Sequence, residues 1–211
     1  TAGVEMTTGP LGAGVATAVG FAMAARYERG LLDPNSPEGR SLFDHSIWVL
    51  CSDGDLQEGV SGEASSLAGT QALGNLIVIY DDNRISIEGD THVSFTEDVS
   101  ARYRAYGWHV QEVSALPDGN IDLAALDAAM VAAKAERGKP SLIRMHSVIA
   151  WPAPKLRGTA KSHGSALGDE EIAATKKELG LNPDEKFAMP ADVLSHVRAV
   201  KDRGALAHAR W

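Results

Sequence analysis

Hydrophobic positions along the chain fall into two kinds of run, and the two alternate. Leu11, Val15, Ala18, Val19, Ala22 and Met23 recur at helical spacing in a stretch rich in Gly and Ala. They predict a buried helix that opens at Thr8-Gly9-Pro10, carries Pro10 in its first turn and runs through Ala25. Gly30 is expected to stop it, and Asp33-Pro34-Asn35-Ser36-Pro37 reads as a loop. Ser46-Ile47-Trp48-Val49-Leu50-Cys51 is almost continuously apolar, the pattern of a strand covered on both faces. Residues 61–72 read as a helix and Leu76-Ile77-Val78-Ile79-Tyr80 as a second buried strand. A helix near residues 97–106 precedes a third strand, Trp108 to Val113, and a helix over 122–137 leads to a fourth, Ser141 to Met145. This alternation predicts an α/β fold, a doubly wound, mostly parallel sheet with helices on both faces and right-handed crossovers. Trp151 to Gly168 reads as a long loop, followed by peripheral helices over 169–179 and 191–201. Residues 1–200 form the expected domain, and 201–211 a frayed tail or interdomain linker.

Composition narrows the function classes. The chain has 211 residues, 44% of them hydrophobic, enough for one α/β domain with a proper core. A formal net charge of −8 argues against a nucleic-acid partner, which requires clustered Lys and Arg. The longest apolar run, Leu11 to Ala25, is too short to span a bilayer, and no secretory signal is visible. The single cysteine, Cys51, cannot form an internal disulfide, which fits a reducing cytoplasm. It reads as a core residue rather than a nucleophile. Thr1 stands where an initiator Met is expected, a hint that the start is a cut.

Candidate chemistry begins at Cys51-Ser52-Asp53-Gly54-Asp55-Leu56, where a carboxylate and a glycine follow a strand. Open α/β sheets bind ligands at this edge, and Gly54 is expected to permit a turn and a close approach by a phosphate. Tyr80-Asp81-Asp82-Asn83-Arg84-Ile85 ends the next strand about thirty residues on. If the strands are neighbours, Asp53 and Asn83 share a rim. A carboxylate, an amide oxygen and a backbone carbonyl suit a hard divalent cation completed by phosphate oxygens. The crowding of Asp53, Asp55 and Glu58 would repel a diphosphate unless Mg²⁺ or Ca²⁺ bridged it. Taken alone, these residues are read equally well as caps of turns at strand ends.

The longer words decide between the two. Ser52-Asp53-Gly54 followed by Asp82-Asn83 resembles the thiamine diphosphate fingerprint, a GDG with a distal Asn. Thr7-Thr8-Gly9-Pro10-Leu11-Gly12, Asp53-Gly54-Asp55-Leu56-Gln57-Glu58-Gly59, Glu63-Ala64-Ser65-Ser66-Leu67-Ala68-Gly69 and Tyr80-Asp81-Asp82-Asn83-Arg84-Ile85-Ser86-Ile87 resemble transketolases. So do Tyr106-Gly107-Trp108 and Ser162-His163-Gly164-Ser165-Ala166-Leu167-Gly168. The resemblance implies that Asp53, Asn83 and the carbonyl of Ile85 hold Mg²⁺ or Ca²⁺. By the same resemblance Gly54 contacts the diphosphate of thiamine diphosphate, and Gly9, Pro10 and Leu11 lie against the cofactor. Ile87 and Ile149 line the thiazolium pocket. His163 reaches the diphosphate and substrate, and Glu58 couples two active sites across a dimer interface. The implied activity is transfer of a two-carbon ketol unit from a ketose phosphate to an aldose phosphate, by a homodimer in the cytoplasm. Further histidines, the first strand of the sheet and the pyrimidine-binding domain are expected to lie outside this span, so the chain alone is expected to be inactive.

Two departures stand out: Ser52 replaces the first fingerprint glycine, and Ile149-Ala150-Trp151-Pro152-Ala153-Pro154 replaces a glycine-rich segment. Dihydroxyacetone synthase, which shares these words, and a non-catalytic cofactor-binding or dimer-forming module remain as alternatives. A Rossmann dinucleotide site does not fit, because Gly9 to Gly14 lacks the Gly-x-Gly-x-x-Gly order.

Overall fold

Four aliphatic runs pair in parallel register in the computed structural model, which describes residues 3–210. Thr1, Ala2 and Trp211 lie outside the described residues, and with them the reading of Thr1 as a cut and the end of the tail. The strands are β1 (Ile47–Ser52), β2 (Leu76–Asp82), β3 (His109–Val113) and β4 (Ser141–His146), in the order β1-β2-β4-β3. Helices α1 (Ala13–Leu32), α2 (Asp53–Gln57), α3 (Gly59–Thr70), α4 (Val99–Ala105) and α5 (Leu123–Ala135) fill the connections before β4. The chain is thus an α/β fold with an all-parallel sheet.

The pleat sends alternate side chains of each strand to opposite faces. Leu76, Val78 and Tyr80 pack with Val15, Val19 and Ala22 of α1, Ala68 of α3 and Tyr103 of α4. Ile77, Val113 and Ile143 pack on the other face against Ala129 and Ala133 of α5. That second layer does not extend over β1. Trp48 and Leu50 therefore stay 41% and 74% exposed, against the expectation that this strand is covered on both faces. A groove of 1380 Å³ runs along this open side, lined by α1, β1 and residues of the segment leading into α1.

Helix α1 begins later and ends later than its pattern predicts. Gly12, in the left-handed region at φ 77°, turns the chain into the helix, so Pro10 lies outside the first turn. Leu11 and Met23 are exposed, and the buried stripe is Val15, Ala18, Val19, Ala22 and Ala25. Gly30 does not stop the helix. Arg29 beside it is anchored by Asp44 at 3.1 Å and by the Ser36 carbonyl, which offsets the roughly 1 kcal/mol that a helical glycine costs. Helix α6 (Asp169–Glu178) docks through Glu171, whose buried carboxylate accepts the amides of Lys155 at 2.6 Å and Leu156 at 3.0 Å. Helices α7 (Ala191–Arg198) and α8 (Val200–Arg210) bury no residue, and residues 201–210, expected as a frayed tail or interdomain linker, are helical. No helix among the described residues is long and apolar enough to cross a membrane.

Candidate functional site

Register brings the two motif segments together. Ser52, the last residue of β1, lies opposite Asp81 of β2. Asp53 and the pair Asp82-Asn83 therefore leave the sheet side by side at its carboxyl edge. Ser52 has extended backbone (φ −132°, ψ −172°), which any residue adopts, so its replacement of a glycine carries no strain. Asp53 then starts α2, so the turn expected at Gly54 is a helical turn that makes no demand for left-handed backbone. What Gly54 provides is room, since a Cβ there would sit 3.2 Å from Cδ1 of Leu11. Asp55 holds that arrangement, accepting the Ser52 amide at 3.1 Å and the Gly12 amide at 2.9 Å. At Gly12 the fit is tighter still, with a Cβ falling 2.8 Å from Ser61 Oγ. The segment Gly9-Pro10-Leu11 is thereby fixed at the edge of the Asp53 turn.

Asp53 is buried, and both its oxygens are engaged. The Tyr80 hydroxyl donates to Oδ1 at 2.6 Å, and the Arg84 amide donates to Oδ2 at 3.1 Å. Arg84 adopts φ 60°, unusual for a residue other than glycine, and this presents its amide to the carboxylate. Burial raises the Asp53 pKa, the Tyr80 bond opposes the rise, and the neighbouring charge of Asp82 adds to it. Asp82 is buried too, its Oδ2 held by Arg144 (Nε 2.8 Å, Nη2 2.7 Å) and by His146 Nδ1 at 2.9 Å. Cys51, one strand residue back, is buried as expected. Burial and the carboxylates of Asp55, Asp53 and Asp81 push its thiol pKa far up, so it is no nucleophile.

The other expected site residues are placed less uniformly. Asn83 accepts the Ile85 amide at 3.0 Å and donates to Asp81 at 3.3 Å, so it sits on the same rim with Ile85 folded over it. Ile85 pairs with Asp90 in an isolated antiparallel bridge that closes this loop. Ile87, near the loop's tip, is 71% exposed. Ile149 is half-buried after β4 and lines a 250 Å³ cavity with Asp81, Ser147 and Trp151. The Ser147 hydroxyl donates to Asp81, tying that cavity to the rim. Gly9 and Pro10 are exposed. His163 is exposed after a short 3-10 turn over 160–162, and among the described residues no hydrogen bond joins it to Asp53 or Asn83.

Glu58 is exposed at the start of α3. The small residues of α3 are used largely within the domain. Ser61, Ser65 and Ala68 are buried, and the Trp108 indole donates to the Ser65 carbonyl at 2.8 Å. The face left outward carries Val60, Glu63 and Leu67.

Sequence reasoning passed over the roles of Tyr80, Arg144 and His146 around Asp82. The signal was present: Arg144 and His146 sit two apart on β4, in register with Tyr80 and Asp82 of β2. A basic residue in a buried strand requires a partner. Among the described residues, no three His, Cys, Asp or Glu side chains form a metal cluster. The donor set at this rim is of another kind, a carboxylate, an amide oxygen and a backbone carbonyl. All are hard oxygen donors that fit Mg²⁺ or Ca²⁺.

Comparison with known proteins places this rim in a family. Residues 1–211 match the transketolase, thiamine diphosphate binding domain family. The chain is 56% identical over 211 residues to a transketolase of Mycobacterium leprae, covering 100% of this chain and 30% of that protein. The structure of transketolase from Leishmania mexicana superposes with a TM-score of 0.89 at 43% identity, over 100% of this chain and 30% of that one. A transketolase from Pichia stipitis solved in complex with sedoheptulose-7-phosphate superposes with a TM-score of 0.86 at 43% identity, over 98% and 30%. The chain thus spans about 30% of the length of the curated relatives it matches. A four-stranded parallel sheet whose carboxyl rim gathers Gly9 to Gly12, Asp53-Gly54 and Asn83 to Ile85, with a match over every residue, establishes that the chain belongs to the transketolase family, within its thiamine diphosphate binding domain.

Proposed function

We propose that this domain holds the diphosphate of thiamine diphosphate through a divalent cation, within a homodimeric cytoplasmic transketolase. That enzyme moves a two-carbon ketol unit from a ketose phosphate to an aldose phosphate. One observation carries the reading: β1 and β2 are adjacent and parallel, so Asp53 and Asn83 emerge together with Gly9 to Leu11 held against them. The complex of the Pichia stipitis relative with sedoheptulose-7-phosphate supports sugar phosphates as the substrate class.

Asp53, Asn83 and the Ile85 carbonyl ligate Mg²⁺ or Ca²⁺, which neutralises a diphosphate that Asp53, Asp55 and Asp82 would otherwise repel. Gly54 leaves the α2 backbone open to that diphosphate. Ile87 and Ile149 supply apolar contacts, His163 approaches the diphosphate and substrate from the loop after β4, and Glu58 couples paired sites. When bound, thiamine diphosphate supplies the electron sink for carbon–carbon cleavage, and the protein orients it and excludes water. Calorimetry on the full-length protein tests this assignment. Binding of thiamine diphosphate should require Mg²⁺ or Ca²⁺ and be lost in Asp53→Ala. Equal affinity in excess chelator sinks it.

A further inference from the structure

Tyr80 joins the apolar core to the carboxylates of the rim. Its ring is 1% exposed and packs in the cluster beneath α1, α3 and α4. A hydroxyl at that depth needs a partner, and this one reaches two, Asp53 Oδ1 at 2.6 Å and Asp82 Oδ1 at 3.4 Å. A hydroxyl has one proton to give, and the shorter contact takes it. Asp82 is already compensated through its other oxygen by Arg144 and His146, at 2.7 to 2.9 Å. The Tyr80 proton is therefore left for Asp53, whose second oxygen accepts the Arg84 amide at 3.1 Å.

We propose that Tyr80 is a positioning residue for the divalent-cation site, its hydroxyl holding the Asp53 carboxylate in the orientation that ligates the cation. This rests on the assignment of Asp53 as a metal ligand made above. Each carboxylate oxygen offers two lone pairs. Tyr80 and Arg84 occupy one on each oxygen, which stops the group rotating and fixes the directions of the lone pairs that remain. Without the hydroxyl, a single amide holds the carboxylate, and the cation must organise its own ligand. Loss of such an outer partner weakens metal affinity by about 10-fold or more.

The test uses the full-length protein with Mn²⁺ as the probe, free Mn²⁺ being read by electron paramagnetic resonance in saturating thiamine diphosphate. Tyr80→Phe should bind Mn²⁺ about 10-fold more weakly. At saturating Mn²⁺ its affinity for thiamine diphosphate should equal that of the wild type, a split that a general packing defect does not produce. Tyr80→4-aminophenylalanine keeps the ring and returns an N–H donor, so its Mn²⁺ affinity should fall between the two. That order can be read from any two members that fold. A flat or inverted order overturns the proposal, as does a parallel loss of metal and cofactor affinity. Asp53→Ala, measured alongside, separates the two levels. Lost Mn²⁺ binding there with a flat Tyr80 series removes only the role of Tyr80. Retained Mn²⁺ binding removes the ligand assignment and this proposal with it.

Discussion

A carboxylate buried beside a second carboxylate is tolerated only where donors or cations answer both charges. At Asp82 the answer comes mainly from Arg144, two of whose nitrogens lie within 2.8 Å of Oδ2. Arg144→Met keeps most of the side-chain volume and removes the nearest cation, leaving Asp82 next to Asp53 with only His146 at 2.9 Å and the exposed Arg84 at 3.8 Å to answer its charge. Breaking a buried pair from one side costs about 3–5 kcal/mol, and urea denaturation of the variant should show a loss of that size. A loss below about 1 kcal/mol, the ordinary value of an exposed ion pair, means that the pair is screened by water and that Asp82 does not depend on Arg144. Asp53, with its aspartate-glycine word, was legible in the sequence as a candidate ligand. Tyr80 was not, because a tyrosine in an aliphatic strand has the same signature whether or not its hydroxyl has work to do.

At the scale of elements, close approach overrides propensity. Gly69 lies near the end of α3, where alanine would be preferred by about 1 kcal/mol on helix propensity alone. A Cβ there would fall 1.9 Å from the Tyr106 carbonyl oxygen, a backbone atom that cannot swing aside. Gly69→Ala is therefore expected to destabilise by about 1–3 kcal/mol, the usual range for overpacking, and differential scanning calorimetry gives the sign directly. A higher melting temperature would show that α3 shifts freely against the Tyr106 turn. The same contact gives the small residues of α3 a use inside the domain. They let the helix approach Tyr106 and Trp108 within its own domain, and composition alone does not distinguish that neighbour from a symmetry mate.

For the whole molecule, the homodimer follows from the proposed function, and α3 offers it only a narrow stripe. Val60, Glu63 and Leu67 remain outward, spaced along one face. If that face meets its mate, Leu67→Arg in the full-length protein places a charge in an apolar contact and should shift sedimentation velocity profiles toward monomer. An unchanged dimer would place the interface elsewhere on the molecule.

Local chemistry by itself determined much of this chain. The alternation of aliphatic runs with helical periodicity specifies a parallel α/β sheet, because each pattern suits one backbone period. The ordered words around Asp53 and Asn83 specify the family. Tertiary structure decided what depends on neighbours distant in sequence. Trp48 and Leu50 read as buried but lie open, since α5 covers β2, β4 and β3 and stops short of β1. Gly30 reads as a stop but is passed, because Arg29 is held from outside the helix. The partnership of Tyr80, Asp82, Arg144 and His146 exists only through the register of β2 against β4. Burial and register arise from packing between segments, and no local pattern encodes which face of a strand another element will cover.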